Sequence, residues 1–268
     1  MNRTKASILI MLLAVLVAGC GSRKQINEPS DTASNTVTSI PSQSAAAPIM
    51  TEPSATSRPG TTELQLFADK YLKESVEISY PQLKNLTDKA MQDSLNKLIK
   101  NQALSILMEY EGLESEVNLQ IGYVPLRNTE RILSIQYRGV GYLENAAYPD
   151  NHLYTTNLDL KTGTLLKLKD FVVVDKDFIA EFKKGTYKPY DPELSIEQEV
   201  REVLAEYSDS DLISLFAKAD VAGSDNEANI FSYLTEDSLG ISIGVPHALG
   251  DHAEFEIRNP KLILDGEV

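Results

Sequence analysis

Apolar positions become regular from Leu64, and their period changes several times along the chain. Leu64 to Tyr80 reads as extended, with Val76, Ile78 and Tyr80 alternating with polar neighbours. Pro81 has no N–H to donate and is expected to halt that ladder. Thr87 to Tyr110 then takes a helical period, with Met91, Leu95, Leu98, Gln102, Ile106 and Tyr110 at steps of three and four. Asn85 or Thr87 is placed to cap its start, and Gly112 lies beyond its end. The period returns to two at Val117, Leu119, Ile121 and Tyr123, and again at Leu133, Ile135 and Tyr137 after a break at Pro125 to Glu130. These two runs are expected to be neighbouring antiparallel strands.

His152 to Leu160 predicts a further strand, and Lys161-Thr162-Gly163 a hairpin turn with glycine where positive φ is needed. Leu165 to Leu168 returns along it. Short helices are expected at Asp177 to Lys184, Ile196 to Tyr207 and Ser210 to Lys218, the second opening with Ser195 and Gln198 in capping-box spacing. Ile230 to Leu234 and Leu239 to Val245 pair around Glu236-Asp237-Ser238. A last strand near Glu254 to Ile257, or Leu262 to Leu264, closes the sheet. Strands mixed with segregated helices give an α+β class, with an antiparallel sheet packed against one long helix and several short ones.

The first sixty residues obey a different logic. Arg3 and Lys5 precede an unbroken apolar run from Ile8 to Val17, and Val17-Ala18-Gly19 leads into Cys20, the one cysteine of 268 residues. Ten apolar residues are too few for about 30 Å of hydrocarbon, so the stretch reads as a signal peptide. Its layout is that of a bacterial lipoprotein signal, with 1–19 removed and Cys20 lipidated. Two or three acyl chains anchor stably where one does not, placing the protein on the extracytoplasmic face of a cell membrane. The lipidated chain then has no thiol for disulfides, metals or nucleophilic attack. Ser, Thr, Pro and Ala fill 23 of the 40 positions from 21 to 60, without one aromatic residue. Such a segment cannot offset its ordering entropy, and 20–61 is expected to be a disordered tether spanning about 35 Å. Residues 62–268 form the folded part, in two closely packed halves of about 62–145 and 146–268.

Charge narrows the partners. The chain carries a formal −14, and residues 61–268 alone carry −16. An acidic surface repels nucleic acid and attracts cationic partners, so nucleic-acid binding is not expected. Acidic side chains concentrate at Asp191 to Glu206 and Asp209 to Asp225. A solvated helix face explains them as well as a steering field does.

Several segments together resemble known extracytoplasmic modules. Ile78-Ser79-Tyr80-Pro81-Gln82-Leu83, the long helix and the tyrosine-bearing strands are similar to the module preceding the catalytic domain in PdaC-type peptidoglycan deacetylases. His152 to Leu168 and Lys169-Asp170-Phe171 resemble the module paired with it in anti-sigma factors of the RsiV type. So do Phe231 to Thr235 and Val245 to Gly250. The resemblance covers roughly residues 65–265. It implies an exterior α+β binding domain without catalysis of its own, since in the deacetylases the chemistry belongs to a separate domain. In the RsiV type the domain binds lysozyme. With no predicted transmembrane helix, sigma-binding segment or deacetylase domain, neither signalling nor deacetylation is expected here.

Direct chemical signals are sparse. His247 and His252 lie five apart around Leu249-Gly250-Asp251, and a turn would bring both rings near a carboxylate. Zinc needs three or four converging ligands, HExxH is missing, and no metal or other cofactor is expected. Val245 to Gly250 is read instead as a shaped connection between strands. Asp159, conceivable as an acid beside His152, is expected to accept backbone N–H groups across its turn. No GxSxG elbow or phosphate loop occurs. Tyrosine stands out, with 12 copies against seven Phe and no Trp. Tyr137, Tyr142, Tyr148 and Tyr154 cluster, and tyrosine suits interfaces and sugar rings. The candidate binding residues are Tyr142, Glu144, Tyr148, Asp150 and Tyr154, on an exposed loop.

The expected protein is thus not an enzyme but a lipid-anchored recognition module of the cell envelope. Its partner is a lysozyme-like basic protein or peptidoglycan. A glycan hydrolase or deacetylase-type enzyme, with paired carboxylates in a cleft, is the alternative, and a purely structural lipoprotein the third.

Overall fold

A computed structural model describes residues 64–263 apart from 114, 191, 222 and 224. Cys20 and the expected signal peptide and tether lie outside the described residues, as does Leu264. Two sheets carry the fold. The first has the order β1-β2-β3-β4-β5-β6, built from Leu66–Lys73, Val76–Leu83, Val117–Asn128, Ile132–Leu143, Asp150–Asp159 and Thr164–Leu166. The second has the order β7-β10-β9-β8, from Thr186–Lys188, His252–Arg258, Ser238–Gly244 and Phe231–Leu234. The α+β class holds. The strands form two sheets where one was expected, and β2 runs parallel to β3 from Val76 to Ile78 in an otherwise antiparallel arrangement.

The long helix packs on the first sheet. α1 covers Lys89–Ala103 and continues as a 3₁₀ segment, Leu104–Tyr110. Its cap is Asp88, whose carboxylate accepts the Met91 N–H at 3.0 Å, and not Asn85 or Thr87. Leu95, Ile99, Ala103, Ile106 and Tyr110 are buried against Ile78, Tyr80, Leu119, Ile135 and Tyr137. Fully burying each such aliphatic chain contributes about 2 kcal/mol. Gly112 takes φ +83 just past the helix end, as its position predicted.

Pro81 does not end its strand. It lies inside β2 opposite Ala68, where its missing N–H would point away from β1, and β3 pairs only as far as Ile78. Pro125 likewise stays within β3, where the register slips between Pro125 and Arg127 as a bulge. Asp159 closes the β5–β6 turn as expected, accepting the N–H groups of Lys161 at 2.8 Å and Thr162 at 3.2 Å.

Around the second sheet pack α3, Lys176–Lys184, α4, Glu197–Ala205, and α5, Asp209–Phe216, with the short α2, Leu168–Phe171, before them. Phe178, Phe182, Phe216 and Phe255 meet edge to face at centroid distances of 4.8 to 5.7 Å. Ser195 forms no cap, because the N-cap position of α4 falls one residue later, on Ile196; Ser208 and Asp211 instead make a capping box for α5. β7 and α2, at three and four residues, are too short to show a period, and both went unpredicted. The first sheet extends to Leu166, because β5 pairs with β4 along its whole length and β6 adds to β5. Among the described residues no helix is long and apolar enough to cross a membrane.

A polar seam joins the sheets. The buried Glu254 carboxylate on β10 accepts from Gln136 at 2.8 Å and from the Arg138 guanidinium, both on β4. Thr155 and Asn157 on β5 donate to the Ser232 carbonyl at 2.6 and 2.8 Å. The Asp220 carboxylate accepts from the Ser232 N–H and hydroxyl and from the Leu168 N–H, each at 2.6 Å.

Two outcomes follow from that seam. Glu254→Ala strands Gln136 and Arg138 and should cost about 3 kcal/mol by urea denaturation. Burial pushes the Asp220 carboxyl up to about 6 despite its donors, whereas the unfolded chain titrates near 3.9. The folded protein therefore holds the extra proton between about pH 4 and 6, so this group's contribution to stability falls as pH rises through that window. Asp220→Asn should remove that decline, read as the pH dependence of the difference in urea midpoints.

Candidate functional site

Three pieces of chain converge at the start of β5. The 3₁₀ segment brings Glu109 and Tyr110 from one side. The connection from Val245 to Asp251, containing the 3₁₀ turn His247–Leu249, brings the end of β9 and the start of β10 from the other. Between them lies a cleft of about 300 Å³, with Glu109, Asp150, His152, Asn229, Asp251 and His252 in its lining.

Its inner wall is a hydrogen-bonded pair. The Tyr110 hydroxyl lies 2.6 Å from His152 Nε2, and Glu109 Oε2 lies 3.7 Å from His152 Nδ1. That second distance is too long for a hydrogen bond but sets the tautomer. A proton on Nδ1 faces the carboxylate favourably, so Nε2 accepts from tyrosine. Burial lowers the His152 pKa, with Asp150 and Asp251 pulling weakly the other way, which leaves the ring neutral at pH 7. Burial, then Asp150 and Glu109, raises the Tyr110 hydroxyl well above its ordinary value, so it stays a donor. Room for the pair comes from Gly141 on β4. A Cβ there would run into the Tyr110 hydroxyl and lie 2.8 Å from His152 Nε2.

The rim is a second chain of bonds. Asp251 Oδ2 accepts from the Asn151 backbone N–H and side-chain amide, both at 2.9 Å. Asn151 Oδ1 accepts the Tyr190 hydroxyl at 3.0 Å. Asp251 Oδ1 lies 2.9 Å from His247 Nδ1, and the His247 ring tilts against Tyr148 with centroids 5.1 Å apart. Donor atoms of Asp150, His247 and Asp251 all fall within 4.8 Å of one another, the one such metal-competent group among the described residues. Gly250 and Asp251 both take positive φ, +96 and +70, which turns the chain tightly enough to present His247 and Asp251 together.

Electrostatically the cleft is unbalanced. Among the described residues three carboxylates and two imidazoles line it, with no lysine or arginine. Partial burial first, and Asp150 second, raise the Glu109 pKa. The acidic helices behave otherwise. Glu197 pairs with Arg201 at 2.7 Å and Asp209 with Lys183 at 2.6 Å, while Ser208 holds the Asp211 carboxyl below its ordinary value.

Of the residues expected on the loop, Tyr148 and Asp150 reach this rim. Tyr142 is exposed at the end of β4, its hydroxyl donating to the Ala146 carbonyl at 3.3 Å, and Glu144 is exposed on the turn. Tyr154 is not on the loop surface. It is 4% exposed, stacks on Tyr137 at 4.8 Å, and donates its hydroxyl to the Ala103 carbonyl at 2.6 Å, because a helix end needs that acceptor satisfied. His252 does not join His247 and Asp251 as the spacing suggested; Asp150 takes that place, and His252 lines the cleft beside them. Glu109, Tyr110 and Asn151 escaped the sequence reading. His152 and His252 line the cleft and His247 stands beside Asp251 on its rim, a gathering that no spacing along the chain signals.

Gly141→Ala should break the Tyr110–His152 bond and overpack the wall, destabilising the protein by about 1–3 kcal/mol in urea denaturation. The His152 resonance should move with it in NMR pH titration.

No protein-family model matches this chain, and no curated protein is found to be its relative. Among solved structures it is similar to a DUF3298 family member from Bacteroides fragilis, at 15% identity and a TM-score of 0.44, over 75% of this chain and 92% of that one. It is also similar to a DUF3298 family protein from Pseudomonas aeruginosa PAO1, at 13% identity and a TM-score of 0.45, over 75% and 93%.

Proposed function

We propose that this is a lipid-anchored protein of the cell envelope, attached through Cys20, whose folded part recognises a basic protein of the lysozyme type. One observation carries the reading. A cleft lined by Glu109, Asp150 and Asp251 and by no cationic side chain opens beside Tyr148, which is 66% exposed. Carboxylates without cations favour an arginine or lysine of a partner and raise the rate of encounter. An exposed tyrosine beside them supplies apolar area with few rotors to freeze, the usual character of an interface anchor. The lipoprotein layout of residues 1–20 and the resemblance to lysozyme-binding modules support the same address and partner class.

A second reading has one observation in its favour. Glu109, raised by burial and by Asp150, has the character of a glycosidase acid beside a second carboxylate.

Calorimetric titration with hen-type lysozyme separates them. Recognition predicts saturable binding at low salt that weakens at least tenfold between about 0.02 and 0.3 M ionic strength. Tyr148→Ala should cost about 1–2 kcal/mol of affinity with the fold intact. Affinity indifferent to salt would remove the steering argument, and muropeptide release by the purified protein would favour the enzyme.

A further inference from the structure

We propose that Asp150, His247 and Asp251 bind a divalent transition-metal ion, with Zn2+ the best match to the donor set. The three donors lie within 4.8 Å of one another. Bonds of about 2.0–2.2 Å to zinc require donors roughly 3–4 Å apart, so only a small closing movement is needed. One imidazole nitrogen and two carboxylates suit zinc, whereas calcium and magnesium favour shells of oxygen alone. Three protein ligands leave a coordination position for water.

Two of the ligands are already oriented. Asn151 holds Asp251 Oδ2 with two bonds of 2.9 Å, which directs Oδ1 toward His247 Nδ1. Asn151 is itself held by Tyr190, and His247 leans on Tyr148. Outer bonds of this kind fix the rotamers of metal ligands. Asp150 comes from β5 and the other two from the turn before β10, so an ion would tie the two sheets together.

An independent observation points to the same place. His252 is only 6% exposed and lines the cleft beside Asp150 and Asp251. Neither of its ring nitrogens closes a hydrogen bond of good geometry with the described residues, although the Asn151 backbone adds a weak attraction. A buried imidazole ordinarily has a partner.

The proposal is independent of the recognition reading, and its test needs no protein partner. The full chain carrying Cys20→Ser, which removes the competing thiol, is titrated with ZnCl2 near pH 7 by calorimetry, and its melting is followed with and without metal. The expected result is one equivalent of Zn2+, a raised melting temperature, and little displacement by an excess of Mg2+. His247→Ala and Asp150→Asn, both at exposed side chains, should each weaken Zn2+ at least tenfold while circular dichroism stays unchanged. Absence of saturable Zn2+ binding would overturn the site, as would binding that both variants leave at full affinity.

Discussion

The face of β4 and β5 that turns away from α1 is polar, and the second sheet is fastened to it through buried side-chain hydrogen bonds. Glu254 is central: it is almost fully buried and receives both Gln136 and Arg138. Ser134 accepts the Leu234 N–H at 3.0 Å and donates to Asn157 at 2.6 Å, while Thr155 and Asn157 converge on the Ser232 carbonyl. An apolar seam would tolerate sliding. Directional bonds at low dielectric fix the register, because each one left unmade costs a desolvated group. The placement of β9 and β10 relative to β5, and hence the cleft at their ends, follows from that constraint.

Fixing the seam brings like charges together. Asp150 begins β5 and Asp251 precedes β10, so sheet registry leaves both beside Glu109. A fold selected only for stability would place a lysine there, as it does at Asp209 and Glu227. The cleft retains its negative field, and the tyrosines around it are divided in labour. Tyr110 and Tyr154 are buried donors that hold the wall, whereas Tyr148 presents its ring outward. The basic-partner and metal readings draw on this same imbalance and share Asp150 and Asp251.

Much of the local structure was legible along the chain. The three-and-four spacing of α1, the alternation in β3 and β4, the Asp159 turn with Gly163, and the β8–β9 hairpin each express a short-range period or a turn residue. Prolines misled, because whether a missing N–H ends a strand depends on what lies on that side of it. At Pro81 no strand pairs on that side, since β3 reaches only Ile78, and at Pro125 a bulge absorbs the irregularity. The parallel β2–β3 pair was equally hidden, since a strand's period is blind to its neighbour's direction. Tyr154 was assigned to a surface for a similar reason. Alternation places it on a face, but only the arrival of α1 decides that the face is covered.

Sequence alone determined most of the elements, the acidic balance and the scarcity of catalytic motifs, because these are carried by neighbours in the chain. It did not determine the site. Glu109, Asp150, His152, His247 and Asp251 span more than 140 positions and gather only when the second sheet docks on the first. Such a meeting depends on which buried polar groups satisfy one another across the seam, and that pairing is a property of the folded chain as a whole.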